Sequence, residues 1–370
     1  MSSNLNFYYP SIEAGGLEKN LFSLVNSLAD KKYKINLFTY ENNTKNKELK
    51  KKFYFHKDIK IITSSIIPGI NLRYLKYFFC IIRLFFFSVS QKGIIVSFQG
   101  NVLPIIVAKM TFCKIIIRCN TAPSKYINSN LKKIFFKYFY SLSDIILVTS
   151  NDFKKEIKKY FGLNSIVHKQ SLDIDEIKKK SKIKTNFKFF GKFNGLKIIS
   201  VGRLTHQKNQ INLLRAFEKL TKIRKARLLI VGSGSDKKEL LKFIYQKKIN
   251  KLVKIIPFTS NPFKYISLCN LKVLSSRYEG NPNILLEIAC LKKLIISSDC
   301  KVGPREILQS GKGGILFKVD DDNQLCSILK NVNLNSKDIK KRINNSYKYV
   351  TNNFQKDISG TFVNILKKLK

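Results

Sequence analysis

Short apolar segments alternate with helical stretches along most of this chain, and this alternation restricts the fold more than any other feature. The first half contains the β-like runs LNFYYP, KINLFTY, IKIITS, GIIVSFQ, KIIIRC and DIILVTS. A second series follows with LKIISVG, ARLLIVG, VKIIPF, LKVLSS and KLIISSD. Strands that alternate with helices form parallel sheets with crossover connections, so we predict an α/β fold of the doubly wound type.

The length of 370 residues predicts two domains. A single hydrophobic core rarely extends beyond about 250–300 residues, and longer chains usually divide. Residues 173–195 are polar, rich in lysine and end in glycines, which is typical of an interdomain connection. We therefore expect an N-terminal domain over 1–172 and a C-terminal domain over 196–345, with a C-terminal helix at 346–370.

The charge balance is strongly basic, with 69 Lys and Arg against 24 Asp and Glu and a formal net charge of +45. Such a charge permits a phosphate-bearing ligand, an anionic membrane surface or nucleic acid as partner. An AT-rich coding bias toward Lys, Ile, Asn and Phe explains the same composition. A nucleic-acid-binding protein is therefore one alternative, although no recognisable RNA- or DNA-binding motif accompanies the charge.

Seven scattered cysteines form no C-x-x-C pair. This number and spacing are typical of reduced, buried thiols in a cytosolic protein, and not of a zinc site or a disulfide framework. The N-terminal stretch MSSNLNFYYP lacks the charged and then apolar order of a signal peptide. We expect a cytoplasmic location.

The most apolar segment, residues 74–90, contains Lys76 and Arg83 and is short for a bilayer span. Either a core helix or a helix lying in the membrane interface fits this pattern. Residues 125–140 also mix lysines with Phe and Tyr. From segments 71–90 and 125–140 we predict peripheral association with the anionic inner face of the plasma membrane.

The turns after strands are the places to look for a ligand site. In doubly wound sheets, ligands bind beyond the carboxyl ends of the strands, next to helix N-termini. Gly15 and Gly16 occupy such a turn after the first strand, where glycine permits close approach of a phosphate or simply makes a tight turn. Arg203 and Lys208 follow the strand LKIISV, and both cations can reach an anion at its carboxyl edge.

The stretch SSRYEGNPNILLEIA contains two acidic residues in a basic chain. Asn281 is a good N-cap and Pro282 suits a first helical position, which places Glu279 in the preceding loop. Glu287 then lies in a helix that is apolar nearly all round. A buried carboxylate needs a hydrogen-bonding partner, and this is either a sugar hydroxyl of a ligand or a nearby lysine or amide of the protein.

With these turns placed, the chain resembles a family 4 retaining glycosyltransferase of the GT-B fold. The resemblance is carried by AGGLEKNLFSLVNSLA, VGRLTHQKNQINLLRAF, LLIVGSGSDKKELL, SRYEGNPNILLEIA and SDCKVGPREIL with GGILF, in this order. It implies two Rossmann-like domains facing across a cleft, the second of which holds a UDP-sugar, and a final helix at 346–370 that crosses back to the first. No metal and no cofactor is expected besides the donor substrate.

The resemblance also assigns site residues. Arg203 and Lys208 would stabilise the leaving diphosphate, Glu279 would face the transferred sugar and Glu287 would hold the ribose. The other donor-side residues are Gly16, Gly202, Gly280, Asn281 and Asn283. The reaction implied is metal-independent transfer of a hexose or N-acetylhexosamine to a lipid-linked or growing surface glycan, and nucleic acid is not an expected partner.

One departure concerns the first domain, where many family members have a histidine near the sugar. The corresponding stretch, IIIRCNTAPSKY, contains none. We expect Arg118 and Asn120 to line the acceptor side, and no residue is assigned as general base. A catalytically inactive GT-B protein is therefore the other alternative to a transferase.

Overall fold

The computed structural model describes residues 4–12, 16–40, 55–64, 73–170, 172–300, 302–354 and 358–369. The chain forms two compact units. Unit 1 comprises residues 1–171 and 356–370, and unit 2 comprises residues 172–355. Each unit contains a parallel sheet whose strands alternate with helices along most of the described chain, so the prediction of two Rossmann-like α/β domains is confirmed.

Within the described residues, unit 1 has a seven-stranded parallel sheet with the order β3-β2-β1-β4-β5-β6-β7. Its strands other than β3 and β7 are mostly buried runs, as expected for parallel strands covered by helices on both faces. They are β1 Leu5–Tyr8, β2 Ile35–Thr39, β3 Ile59–Thr63, β4 Ile94–Ser97, β5 Ile115–Arg118, β6 Ile145–Val148 and β7 Ile166–Val167.

The helices of unit 1 follow the same alternation. They are α1 Gly16–Asp30, α2 Arg73–Ser90, α3 Val102–Met110, α4 Asn130–Ser141 and α5 Asn151–Phe161. A short 3-10 turn covers Pro123–Lys125. On α1, Leu21, Leu24, Val25 and Leu28 are fully buried in the core of unit 1, whereas Leu17 is 38% exposed. Gly15, one of the two predicted phosphate-turn glycines, and residues 71–72 lie outside the described residues.

Unit 2 has a six-stranded parallel sheet with the order β10-β9-β8-β11-β12-β13 in the described part of the chain. Strand order reverses between β8 and β11, and such a switch point is where doubly wound sheets bind ligands. The strands are β8 Leu196–Val201, β9 Ala226–Val231, β10 Val253–Ile256, β11 Leu271–Leu274, β12 Leu294–Ser298 and β13 Ile315–Phe317.

The helices of unit 2 pack on both faces of this sheet. They are α6 Ile174–Ser181, α7 Gln210–Thr221, α8 Lys237–Gln246, α9 Phe263–Ile266, α10 Asn283–Cys290, α11 Pro304–Ile307, α12 Asp322–Asn331 and α13 Lys337–Asn353. A 3-10 turn covers Gln309–Gly311. The last helix, α14 Ile358–Lys367, belongs to unit 1.

Two segments differ from the sequence-based expectation in their boundaries. Residues 173–195, expected to be a connection, lie in unit 2 and include α6, whose Ile177 is buried in a core cluster with Phe190. Residues 346–353, expected in the returning helix, remain in α13 of unit 2. Only α14 joins unit 1, where Ile358 and Phe362 pack with its core because their apolar face needs cover.

Two further features bear on the expected cellular context. Every helix among the described residues is too short or too polar to cross a bilayer. All seven cysteines are buried free thiols, as expected from their spacing.

Candidate nucleotide-sugar site in unit 2

Two turns at the switch point of unit 2 carry most of the predicted site residues. The first turn covers residues 202–209 after β8, and the second covers 275–282 after β11. Strands β8 and β11 are neighbours in the sheet, and their paired residues include Leu271 with Ile198. Because parallel strands end at the same edge, both turns lie at the carboxyl edge of the sheet.

Lys208 and Glu279 form an ion pair across these turns. Lys208 Nζ lies 2.6 Å from Glu279 Oε1, and the two side chains are 16% and 5% exposed. The hydroxyl of Ser276 also donates to Glu279 Oε1 at 2.6 Å. The structure therefore brings together two predicted residues that stand 71 positions apart, and it places a lysine ammonium and a carboxylate in a largely dry environment.

Hydrogen bonds to the backbone hold the two turns in register. Gln207 Nε2 donates to the Tyr278 carbonyl at 3.1 Å, and the Arg277 amide donates to the Gln207 carbonyl at 2.9 Å. The Ser275 hydroxyl donates to the Lys208 carbonyl at 3.0 Å. Since these bonds fix the backbone on both sides of the ion pair, Lys208 and Glu279 are positioned by the fold and not only by their mutual attraction.

The turn after β12 supports the turn after β11 from its other side. The Ser298 hydroxyl donates to the Ser276 carbonyl at 2.6 Å, and the Cys300 thiol donates to the same oxygen at 3.2 Å. Gly303 has φ +93°, and a Cβ there would lie 2.8 Å from the Gly280 carbonyl oxygen. Glycine is needed at 303 because a side chain would separate the two turns.

Arg203 and Gly202 occupy the start of the first turn. The Arg203 side chain is exposed, while its carbonyl accepts a hydrogen bond from Gln210 Nε2 at 2.8 Å. A Cβ at Gly202 would lie 3.8 Å from the Lys208 stem, so Gly202 adjoins the cation. The roles of Arg203 and Gly202 toward a diphosphate stay predictions.

Helix α10 begins later than expected. It starts at Asn283 with Pro282 in the N-cap position, so the prediction that Asn281 caps the helix is wrong. Proline fixes φ but has no side-chain acceptor for the first amides, and no side-chain cap forms. Asn281 Nδ2 is instead buried with no hydrogen-bond partner among the described residues. A buried donor of this kind is available to a ligand oxygen.

Glu287 is buried in α10, as expected, with 7% of its surface exposed. It interacts electrostatically with Lys272 of β11. This contact favours neither of the two interpretations of Glu287 alone, because a structural partner and a ligand hydroxyl can share one carboxylate. The ribose-binding role of Glu287 and the ligand-binding roles of Gly280 and Asn283 stay predictions.

Lys272 is a residue of this region that the sequence-based search missed. It lies within β11, is fully buried, and its Nζ lies 3.3 Å from the Val273 carbonyl and 3.4 Å from the Val201 carbonyl. Burial, together with the charge of Lys208 and against the opposing effect of Glu279 and Glu287, lowers the pKa of Lys272 to about 7. The available signal was a lysine inside the apolar strand LKVL.

In unit 1, Gly16 is the first residue of α1. Asn120 Nδ2 donates to the Phe98 carbonyl at 2.8 Å. Arg118 ends β5, is 2% exposed and lies with its guanidinium carbon 5.3 Å from the Phe98 ring centre. The phosphate-binding role of Gly16 and the acceptor-side roles of Arg118 and Asn120 stay predictions.

His168 is a second residue that the search missed, and it contacts Arg118. Arg118 Nη1 lies 2.8 Å from His168 Nδ1, and His168 Nε2 lies 3.2 Å from the Ile358 carbonyl. Burial and the Arg118 charge lower the pKa of His168 to about 3. The ring is therefore neutral, with Nδ1 accepting from Arg118 and Nε2 donating to Ile358. Both nitrogens are occupied, so His168 is a structural partner of Arg118.

Comparison with known families and proteins identifies relatives of this region. Residues 173–349 match the family described as glycosyl transferases group 1. An uncharacterized glycosyltransferase, MJ1059, from Methanocaldococcus jannaschii is 36% identical over 180 residues, which cover 47% of this chain and 44% of MJ1059.

A second relative is a Campylobacter jejuni enzyme, N-acetylgalactosamine-N,N'-diacetylbacillosaminyl-diphospho-undecaprenol 4-alpha-N-acetylgalactosaminyltransferase. It is 30% identical over 224 residues, covering 58% of this chain and 59% of the enzyme. The matches to these two curated relatives therefore span about half of their lengths.

A solved structure extends the likeness to nearly the whole chain. The crystal structure of Anabaena Alr3699/HepE in complex with UDP and glucose superposes with a TM-score of 0.81 at 15% identity. The superposition covers 99% of this chain and all of that one. At this identity the likeness shows the fold, which is GT-B.

Proposed function

We propose that this protein transfers a sugar from a nucleotide donor to a glycan acceptor, and the match of residues 173–349 to the family described as glycosyl transferases group 1 supports this proposal. The observation that carries the proposal is the Lys208–Glu279 pair, which lies at the carboxyl edge of the unit 2 sheet at its switch point. This is the place where a doubly wound sheet holds a nucleotide.

In the proposed reaction, Lys208 stabilises the negative charge that develops on the leaving diphosphate. A preorganised cation in a dry site is worth far more than one in water, because no solvent has to reorient during the reaction. Glu279 holds the Lys208 ammonium in place and faces the transferred sugar. The free donor of Asn281 lies in the same turn and is available to a phosphate or sugar oxygen.

We propose UDP as the nucleotide and retention as the stereochemical outcome. The UDP complex of the HepE structure supports the first, since it shares the fold of this chain. Metal independence belongs to the same proposal, because Arg203 and Lys208 would supply the positive charge that a divalent cation supplies elsewhere. The sugar would be a hexose or an N-acetylhexosamine, with Glu287 holding the nucleotide ribose.

We propose a lipid-linked or growing surface glycan as the acceptor. The Campylobacter relative acts on a diphospho-undecaprenol-linked substrate by its name, which supports a lipid-linked acceptor for this chain. Such an acceptor lies at a membrane. A membrane-facing surface on unit 1 is therefore part of the proposal.

UDP binding is the direct test of the donor site. UDP at a hundred times its Kd is expected to stabilise the protein by about 2.7 kcal/mol, which raises the Tm by a few degrees. Replacing Glu287→Gln removes the carboxylate that would accept the ribose hydroxyls, so the UDP affinity should fall about tenfold. Thermal shift titrations with UDP measure both effects.

The matched control is Glu239→Gln, because Glu239 is an exposed acid on α8 of the same unit. It should keep the UDP affinity of the natural protein. Equal UDP affinity for Glu287→Gln and the natural protein would remove Glu287 from the site, and no thermal shift with UDP or other nucleotides would contradict the donor proposal itself.

The membrane-facing surface is formed by three neighbouring helices of unit 1. Helix α3 contacts both α2 and α4. The exposed apolar side chains of these helices, with that of Phe112 just after α3, make up what we call the apolar face: Tyr74, Leu75, Phe78, Ile82, Phe86, Val89, Leu103, Ile106, Met110, Phe112, Leu131, Ile134, Phe135 and Tyr138. Exposed cations accompany them at Arg83, Lys109, Lys132, Lys133 and Lys137. The sequence contains no Asp or Glu between Asp58 and Asp144.

The apolar face therefore combines aromatic groups, cations and an absence of acidic residues in its stretch of sequence, which suits an anionic lipid surface. Each buried aromatic side chain contributes about 1.5–3 kcal/mol, and each cation near an anionic surface contributes about 1 kcal/mol. Phe78 and Phe86 are 54% and 65% exposed, and each lies one helical turn from Ile82 on α2. We propose that this face rests on the membrane.

Vesicle flotation tests the apolar face. The natural protein is expected to float with vesicles that contain anionic phospholipid, and the double variant Phe78→Ser, Phe86→Ser should bind at least about tenfold more weakly. The control is Ile223→Ser, Tyr245→Ser, which removes two equally exposed apolar groups from unit 2. Equal binding by the natural protein and both variants would contradict the assignment of the apolar face.

A further inference from the structure

Lys272 occupies a position that the sheet alone does not explain. Its neighbours Leu271, Val273 and Leu274 in β11 are all buried apolar residues, and Lys272 itself has no exposed surface. In the sheet register it pairs with Ile199 of β8, next to the switch point. An apolar residue would fill this position without burying an ammonium group, which is costly in a dry interior.

The hydrogen bonds of Lys272 direct its ammonium toward the carboxyl edge. Nζ donates to the carbonyl of Val201, the last residue of β8, and to the carbonyl of Val273. In the described part of the chain Nζ forms no ion pair with a carboxylate, and Glu279 pairs with Lys208. Lys272 therefore lies beneath the site with its charge only partly compensated.

Three charged groups act on Lys272 from the elements around it. Lys208 comes from the turn after β8, Glu279 from the turn after β11 and Glu287 from α10. The nearest lysines of the neighbouring strands, Lys197 and Lys293, belong to a separate group around Cys269, at the amino edge of the sheet. A diphosphate that binds beside Lys208 thus adds negative charge to the groups that control protonation of Lys272.

We propose that Lys272 is a positioning residue of the donor site, which takes up a proton when a nucleoside diphosphate binds beside Lys208. This inference rests on the proposed function. The proton passes from solvent to Nζ, and the resulting ammonium adds a third positive charge beneath the ligand. Binding and protonation are linked, so each strengthens the other.

The lowered pKa of Lys272 supports this coupling between binding and protonation. Burial and Lys208 hold its pKa near 7, so at pH 8 most of the free protein has a neutral amine at this position. Added negative charge favours the protonated form and raises the pKa. Proton uptake on binding should therefore be largest slightly above neutral pH, where UDP itself is fully ionised and releases or takes up no proton.

Calorimetric titration with UDP at pH 8.0, in two buffers of different ionisation enthalpy, measures this uptake. The natural protein should take up between about 0.5 and 1 proton for each UDP bound. Lys272→Met should take up close to none and should bind UDP more weakly. Lys293→Met is the matched control, since Lys293 is a half-buried lysine directly before β12 with a lowered pKa, and it should keep the uptake.

A second variant, Lys272→Arg, distinguishes a failure of this inference from a failure of the proposed function. Lys272→Arg keeps a permanent positive charge, so it should bind UDP without proton uptake. The melting temperature of each variant verifies folding. Unchanged uptake in Lys272→Met and Lys272→Arg would overturn the inference and leave the donor site intact. No UDP binding by the natural protein would overturn both.

Discussion

Replacing Lys208→Met is expected to lower the rate of sugar transfer by at least about a hundredfold. Removing one group that stabilises developing charge in a preorganised site typically costs 10²- to 10³-fold in turnover. Lys208 would be such a group, because its ammonium is mostly buried and held by Glu279 and by two backbone-linked turns. The measurement is release of UDP from a UDP-sugar with and without acceptor.

The same substitution also leaves Glu279 buried without its cation, which destabilises a protein by about 3–5 kcal/mol. The double variant Lys208→Met, Glu279→Gln separates the two effects, since it replaces the ion pair by neutral groups of similar shape. It should recover most of the stability and none of the activity.

Lys219→Met is the control for the Lys208 prediction, because Lys219 pairs with Asp322 at a more exposed position on α7. It should transfer sugar at the natural rate. An active double variant Lys208→Met, Glu279→Gln would show that the pair is a structural contact and that the diphosphate is stabilised elsewhere.

Replacing Lys272→Met is expected to raise the free energy of unfolding at neutral pH by a few kcal/mol. The pKa of Lys272 is about 7 in the folded protein, against 10.5 for an exposed lysine. The unfolded chain therefore binds more protons between pH 7 and pH 10.5, and stability from this group increases as the pH rises through that range. Each unit of pKa difference corresponds to about 1.4 kcal/mol.

The stabilising effect should consequently be largest at and below pH 7 and should diminish toward pH 9.5. Denaturant titrations of the natural protein and Lys272→Met at several pH values measure this difference. Lys225→Met, which removes an exposed lysine of unit 2, should leave the free energy of unfolding nearly unchanged at each pH. A Lys272→Met effect that is constant over this range would mean that the ammonium remains protonated in the folded state.

The strands of both sheets follow directly from the sequence. Runs such as LIISS of β12 and IIIR of β5 are buried along their whole length because both faces of a parallel sheet are covered. The two-residue strand β7 escaped prediction, since it is too short for any pattern. Helix α6 was assigned to a connection because its surface is almost entirely charged, and only Ile177 of this helix is buried.

The site was predictable in its parts and not in its arrangement. Lys208 and Glu279 each follow an identifiable strand, so turn position alone selects them as candidates. Their 2.6 Å contact depends on β8 and β11 being neighbours, which the strand order of the sheet decides. Lys272 was missed because the pattern of its strand predicts only an apolar residue at this position. The role of the lysine depends on the charged groups that surround it in the folded protein.

By itself, the sequence determined the class of fold and the turns where a ligand would bind, because apolar periodicity and turn residues are local properties. The tertiary structure decided which turns meet, that Asn281 leaves a free donor instead of capping α10, and that Lys272 lies beneath the Lys208–Glu279 pair. The physical reason is that burial and electrostatic interaction depend on distances between residues that are far apart in the chain. Only the packed sheet sets those distances.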